Sequence, residues 1–394
     1  MNKEFHKKQN FFSFSDIDSE RKDRIMKFTS TEATPAPHVP PGVLRLTGAA
    51  KEDIPMYRIQ TMNKISPVGL NRFPSELYEV GDAVQDPQGI LVRSAKLLDL
   101  EFNPSLLAIA RAGVGVNNIP LDRCAAAGIP VFSTPGANAN AVKELVICAM
   151  LMGSRDIPGA IRWVREQAAS GVDVSTVVEK GKSAFIGPEL YKKTLGIIGL
   201  GAIGSIVANT AISLGMDVYG YDPFLSVDTA LRLDRHVHVV KDINDLYKRS
   251  DYITMHIHYT EKTAHMIDAS AIAAMKRGVR VINLARGEIV DDEAMLTALD
   301  TGMVAAYITD FPNNRLLTAP HVIAMPHLGA STPESEQNCA AMAVDTLRDY
   351  LESGNIRSSV NLPEMTMDRS GVQRLCVLHK NVPGMLANIT SLFG

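Results

Sequence analysis

Six residues in a row, Gly199-Leu200-Gly201-Ala202-Ile203-Gly204, carry the clearest chemistry in the chain. They begin at the end of the apolar run Leu195–Leu200 and open a helical stretch. At this spacing the first glycine permits a tight turn and the second lets a pyrophosphate approach the backbone. The third lets helix and strand pack closely, while free N–H groups at the helix start face the phosphates. The next apolar segment ends at Tyr221-Asp222, where a carboxylate can accept from both ribose hydroxyls and would repel a 2′-phosphate. Gly199, Gly201, Ala202, Ile203, Gly204 and Asp222 therefore point to a dinucleotide site that takes NAD rather than NADP. Asp222 also precedes Pro223, so capping of the following loop is the alternative use of its side chain.

A nicotinamide site implies hydride transfer at a carbon bearing oxygen. That chemistry needs a cation to grip a substrate carboxylate and polarise the carbonyl, and an acid/base for the oxygen's proton. Arg286 follows the apolar segment ending at Leu284, and a guanidinium there can hold a carboxylate with two parallel bonds. A surface ion pair is the plain alternative. His327 follows the segment ending at Met325, and imidazole titrates near neutral pH. Asp310, at another strand end, is placed to accept from a nicotinamide amide or to orient a neighbour. No His, Cys or acidic cluster has metal-ligand spacing, so no metal is expected.

The elements that must position these groups are short apolar strands alternating with helices, which read as parallel sheets covered on both faces. A first series is expected at 89–93, 107–111 and 130–132, with helices over 97–102 and 139–154. A second runs through 194–200, 217–221, 251–256, 279–284, 307–310 and 321–325. The fold class is α/β, with two doubly wound, Rossmann-like parallel-sheet domains. The expected layout is a disordered tail over 1–52, a substrate-binding domain over 53–148 with 327–356, and an NAD-binding domain over 149–326. A third piece over 361–394 has one strand and one helix, too little to bury a core alone. The helix over 328–354 is expected to pack back on the first domain.

Composition narrows the function classes. Of 394 residues 46% are hydrophobic and the net charge is −3, so no basic field draws the chain to nucleic acid or to an anionic membrane. No apolar run reaches the length of a membrane-spanning helix, and the five acids within residues 16–32 are unlike a transit peptide. Together these lead to a cytoplasmic enzyme acting on a small molecule, without nucleic-acid or membrane partners.

Six motifs carry a family resemblance in order and spacing: RSA at 93–95, RAGVGVNN at 111–118, the glycine fingerprint, NLARGEIVD at 283–291, TDFP at 309–312 and PHLGAST at 326–332. From about residue 56 onward the chain resembles the D-isomer-specific 2-hydroxyacid dehydrogenases, and within them the members that oxidise 3-phosphoglycerate with NAD to 3-phosphohydroxypyruvate, the first step of L-serine biosynthesis. SSVNLPEM and RLCVLHKNVPGM, at 358–365 and 374–385, resemble the linker and start of an ACT regulatory domain that here would be incomplete.

The resemblance implies that Arg286 binds the substrate's carboxylate and keto oxygen and that His327 donates and accepts the proton. Arg93, Ser94 and the backbone at Val114 and Gly115 would contact substrate. Asp310 and Gly329 would lie beside the nicotinamide, with His256 and Ala285 as further cofactor neighbours. Homodimers or homotetramers are implied. Another 2-hydroxyacid substrate, such as 2-hydroxyglutarate, or a weakly active NAD-binding sensor are the alternatives.

The main departure follows the TDFP motif. The family carries a glutamate there that pairs with the histidine, whereas this chain reads Asn313-Asn314-Arg315. Without that carboxylate the pH limb of ketone reduction is expected to shift down and turnover to fall by about 10²-fold. His256-Ile257-His258-Tyr259 also departs from the family's His-Val-Pro-Leu-like turn, a change expected to affect NAD affinity modestly.

Overall fold

The computed structural model describes residues 43–47, 56–368, 374–379 and 382–393. The tail expected over 1–52 lies outside the described residues except at its strand. The described parts of Met1–Ala137 and Glu336–Gly394 form one compact unit, and Asn138–Ser335 forms the other.

The first unit opens with β1 (Val43–Thr47) and continues into a sheet of β2 (Tyr57–Met62), β3 (Tyr78–Gly81), β4 (Gly89–Val92), β5 (Ala108–Arg111) and β6 (Val131–Phe132). These five pair in parallel in the order β3-β2-β4-β5-β6. Alternation along each strand feeds two cores. Leu91, Ala108 and Ala110 pack with Ala340, Ala343, Val344, Leu347 and Leu351 of the helix Pro333–Ser353. Ile90, Val92, Ile109 and Val131 pack with Leu97, Leu106 and Ile129 on the other side. The late helix thus returns to the first unit as its apolar stripe requires.

Two expectations change here. Residues 97–102 form a turn and loop rather than a helix. The carbonyls of Leu98 and Leu100 accept from the Arg123 guanidinium, at 2.6 and 2.9 Å, instead of closing helical bonds. Within the expected tail, Val43–Thr47 is a strand paired antiparallel with β14 (Arg374–Leu378), which gives the C-terminal strand a partner from the start of the chain.

The second unit is a seven-stranded parallel sheet of β7 (Thr194–Ile198), β8 (Asp217–Tyr221), β9 (Val237–Val240), β10 (Tyr252–Met255), β11 (Val279–Asn283), β12 (Val304–Thr309) and β13 (Val322–Ala324). Its order, β13-β12-β11-β10-β7-β8-β9, is that of a Rossmann sheet with the switch point between β7 and β10. One face is covered by the helices Ala139–Arg155 and Ala202–Ser213, whose Val142, Val146, Ala149, Val207 and Ala208 pack on Leu195, Ile197 and Ile282. That packing accounts for a boundary at Asn138 where the chain pattern suggests 149, and the other boundary falls at Ser335 rather than 326. Among the described residues no helix is long and apolar enough to cross a membrane.

Leu347 is fully buried in the first unit's core. Leu347→Ala should lower the unfolding free energy by about 2–5 kcal/mol, read as a fall in the urea midpoint at unchanged slope.

Candidate functional site

β7 ends at Ile198, and Gly199 turns the chain with φ of +90°. A Cβ on Gly199 would stand 2.6 Å from the His256 carbonyl oxygen, and one on Gly204 would stand 1.9 Å from the Gly199 carbonyl oxygen. Over Gly201 there is nothing within 4 Å. The helix Ala202–Ser213 starts at Gly201 without a side-chain cap, so the N–H groups of Ala202 and Ile203 lie uncapped at the positive end of the helix. This cradle fits a pyrophosphate. Asp222 shows the capping use weighed for it: Oδ1 accepts from Phe224 N at 2.8 Å in the following loop, and Oδ2 accepts from Leu200 N at 2.9 Å. Each oxygen keeps a lone pair for a ribose hydroxyl.

Across the switch point, β10 leads into His256, whose N–H donates to Ile198 O at 2.7 Å. Its ring Nε2 lies 3.2 Å from Thr254 Oγ1, and burial lowers its pKa to about 4, so the ring is neutral at neutral pH. Its backbone carbonyl, not its ring, is what approaches the Gly199 turn.

The ends of β11 and β12 hold the second group. Asn283, fully buried, donates through Nδ2 to Arg286 O at 2.8 Å and accepts at Oδ1 from Ala285 N at 3.1 Å. That clamp fixes the Ala285-Arg286 turn. The Arg286 guanidinium donates to Ala285 O at 2.6 Å and lies 5.8 Å from the centre of the Phe311 ring. His327 tilts against the same ring with centroids 4.6 Å apart. Phe311 is held in turn by its N–H to the buried Thr309 Oγ1, 3.0 Å away. Arg286 and His327, predicted separately from two strand ends, are thus brought to one aromatic side chain.

Asp310 is 1% exposed; Oδ2 accepts from Gly329 N at 3.1 Å, while Oδ1 is buried with no partner among the described residues. Burial raises its pKa, against the pull of the Gly329 N–H and of His327. An orphaned buried oxygen beside Gly329 suits an amide donor such as that of nicotinamide.

The segment without the family glutamate is engaged elsewhere. Asn313 donates to Asp292 Oδ2 at 2.6 Å and accepts from the N–H groups of Arg315 and Leu316. Arg315 faces Glu293 at 3.9 Å. Among the described residues, the histidines within ion-pair distance of a carboxylate are His236 and His265, not His327.

Arg93, Ser94, Val114 and Gly115 belong to the first unit. Arg93 pairs with Glu336 at 2.5 Å, and its carbonyl accepts from Arg111 Nε at 3.0 Å. Ser94 N donates to Asn63 Oδ1 at 3.1 Å. Gly113 leads into Val114 and Gly115, and its carbonyl accepts from Thr134 N at 3.2 Å. The sequence reasoning missed the supports, namely Asn283, Thr309 and Phe311. The available signal was a polar residue closing each apolar strand, Asn283 after Val279–Ile282 and Thr309 after Val304–Ile308.

Comparison with known proteins identifies the family of the chain. Residues 147–329 match the family model described as D-isomer specific 2-hydroxyacid dehydrogenase, NAD binding domain. The chain is 36% identical over 326 residues to a D-3-phosphoglycerate dehydrogenase of Synechocystis, covering 80% of this chain and 56% of that protein. It is 33% identical over 330 residues to the one of Haemophilus influenzae, covering 80% and 77%. An NAD+-bound 3-phosphoglycerate dehydrogenase of Entamoeba histolytica superposes with a TM-score of 0.61 at 26% identity, covering 78% of this chain and 99% of that one. The chain spans 56%, 58% and 60% of the Synechocystis, Methanocaldococcus and Bacillus relatives it matches.

Asp310 yields a signed pH dependence. Its raised pKa means that its ionised form costs folding free energy, in full above the folded pKa and not at all below the unfolded one. Asp310→Asn should therefore stabilise the protein at alkaline pH, and the gain should vanish as pH falls through the carboxylate range. Unfolding midpoints across that range check it.

Proposed function

The chain belongs to the D-isomer specific 2-hydroxyacid dehydrogenases, and on that premise we propose that it interconverts 3-phosphoglycerate and 3-phosphohydroxypyruvate with NAD. The observation that carries the reading is the joint seating of Arg286 and His327 against Phe311, next to a pyrophosphate cradle. The names of the relatives support the choice of substrate.

Gly199, Gly201, Ala202, Ile203 and Gly204 would hold the pyrophosphate, Asp222 the adenosine ribose, and Asp310 with Gly329 the nicotinamide end. When bound, NAD supplies the hydride acceptor. Arg286 spends one donor on Ala285 O and keeps a guanidinium edge for two parallel bonds to the substrate's carboxylate and keto oxygen. That grip places positive charge where the oxygen becomes an alkoxide. His327 takes the hydroxyl proton in oxidation and returns it in reduction. Its ring is oriented by Phe311 rather than by a carboxylate. Substrate contacts from Arg93, Ser94, Val114 and Gly115 are part of the same proposal, with either Arg93 or Lys143 as the cation for the phosphate.

Two experiments test this reading. NADH oxidation by the full chain should be faster with 3-phosphohydroxypyruvate than with 2-oxoglutarate or glyoxylate, and His327→Gln should cost about 10²-fold or more in kcat. Preference for 2-oxoglutarate would move the assignment to a 2-hydroxyglutarate enzyme, and NADH binding without turnover to a cofactor sensor. Separately, Asn314→Glu should move the pH limb of ketone reduction upward. An unchanged pH profile would show that the missing carboxylate does not govern the proton step.

A further inference from the structure

The edge of the second sheet opposite the cofactor cradle has a feature that hydride transfer does not use. Lys193 precedes β7, Asp251 precedes β10 and Arg277-Gly278 precede β11, so the starts of three neighbouring parallel strands converge there. They surround a cavity of about 180 Å³ lined by Lys193, Lys276, Arg277, Arg280, Asp251 and Tyr252. A five-residue strand separates it from the Gly199 turn, roughly 17 Å at the rise of a β-strand.

The charges do not balance. Lys276 pairs with Asp251 Oδ1 at 3.0 Å, and the other Asp251 oxygen accepts from Thr194 N at 2.8 Å. Among the described residues Lys193, Arg277 and Arg280 have no carboxylate within ion-pair distance. Three positive charges are thus left in one concavity whose floor is the fully buried Tyr252. Like charges so placed repel, and an anion offsets that repulsion.

The two guanidinium groups are also held in place. Arg280 donates through Nε to Gly153 O at 2.9 Å and stacks over the Tyr252 ring at 5.5 Å. Arg277 donates through Nη2 to Thr301 O at 2.7 Å. Each keeps unused N–H donors, and arginine's fixed fork suits tetrahedral oxyanions. We propose that this cavity is a second anion site, distinct from the hydride-transfer site, that binds phosphate or the phosphate group of a small monoester. The volume admits a group of that size, and the three unneutralised cations match its charge.

Inorganic phosphate and, in parallel, glycerol phosphate are titrated into the full chain by calorimetry at constant ionic strength. Wild type is compared with Lys193→Gln/Arg277→Gln, Lys193→Arg and Arg286→Ala. The expected result is millimolar or tighter binding in wild type, Lys193→Arg and Arg286→Ala, weakened about tenfold or more in the double variant. Equal response to both probes assigns free phosphate, and preference for glycerol phosphate assigns a monoester. The proposal is overturned if Arg286→Ala abolishes binding, if a double variant with native circular dichroism binds as wild type does, or if wild type binds neither probe. Failure here leaves the dehydrogenase reading untouched, because the readout is binding rather than turnover.

Discussion

A methyl group on Gly204 would stand 1.9 Å from the Gly199 carbonyl oxygen, and the working edge of the second unit depends on that close approach. It draws the start of the helix Ala202–Ser213 onto the end of β7, which no other residue at 204 would allow without displacing one of them. Several consequences follow. The helix begins without a side-chain cap, so its first N–H groups remain available to a ligand. Asp222 is left to tie the turn through Leu200 N. The carbonyl of His256 closes over Gly199 from across the switch point, in a loop kept neutral by the burial of its imidazole.

Further along the same edge the structure spends polar groups in places that burial makes unfavourable. Asn283, Thr309 and Asp310 are all within 1% of full burial at the ends of β11 and β12. Asn283 and Thr309 are satisfied by the backbone of the turns that follow, and so convert their burial into a fixed path for Arg286 and Phe311. Asp310 is satisfied at one oxygen only. Such asymmetry is destabilising in an isolated fold and is relieved when a donor arrives, which is the pattern of a site organised around a ligand. Phe311 packs against the imidazole of His327, with ring centroids 4.6 Å apart, and so limits where that ring can lie.

Much of this was legible in the residues because the signals are local. Glycine spacing, a carboxylate ending the next strand, and Arg286 and His327 after apolar strands each need only a short window, and the structure brings the last two together. Alternating apolar runs likewise foretold two parallel sheets. What was not legible depended on partners far away in sequence. The strand Val43–Thr47 sits beside a Pro-rich stretch that reads as a linker, and its identity as a strand comes from pairing with Arg374–Leu378. Residues 97–102 have helical composition, but Arg123 captures the carbonyls that a helix would need. The Ala139–Arg155 helix belongs to the second unit because its stripe fits Leu195 and Ile197, a choice that helix periodicity alone leaves open.

The two edges of the second sheet show how one set of parallel strands can serve two charge demands. At the strand ends, glycine turns and helix N-termini supply partial positive charge through backbone N–H groups, which suits a pyrophosphate. At the strand starts no helix N-terminus is provided by the topology, so any attraction for anions must come from side chains. The chain places Lys193, Lys276, Arg277 and Arg280 there, with Asp251 as their acidic neighbour. Side-chain cations are costly to cluster, and two of these are further restrained by main-chain carbonyls of Gly153 and Thr301. A surface meant only for solvation gains nothing from that restraint, whereas a binding site gains the preorganisation that lowers the entropy cost of capture.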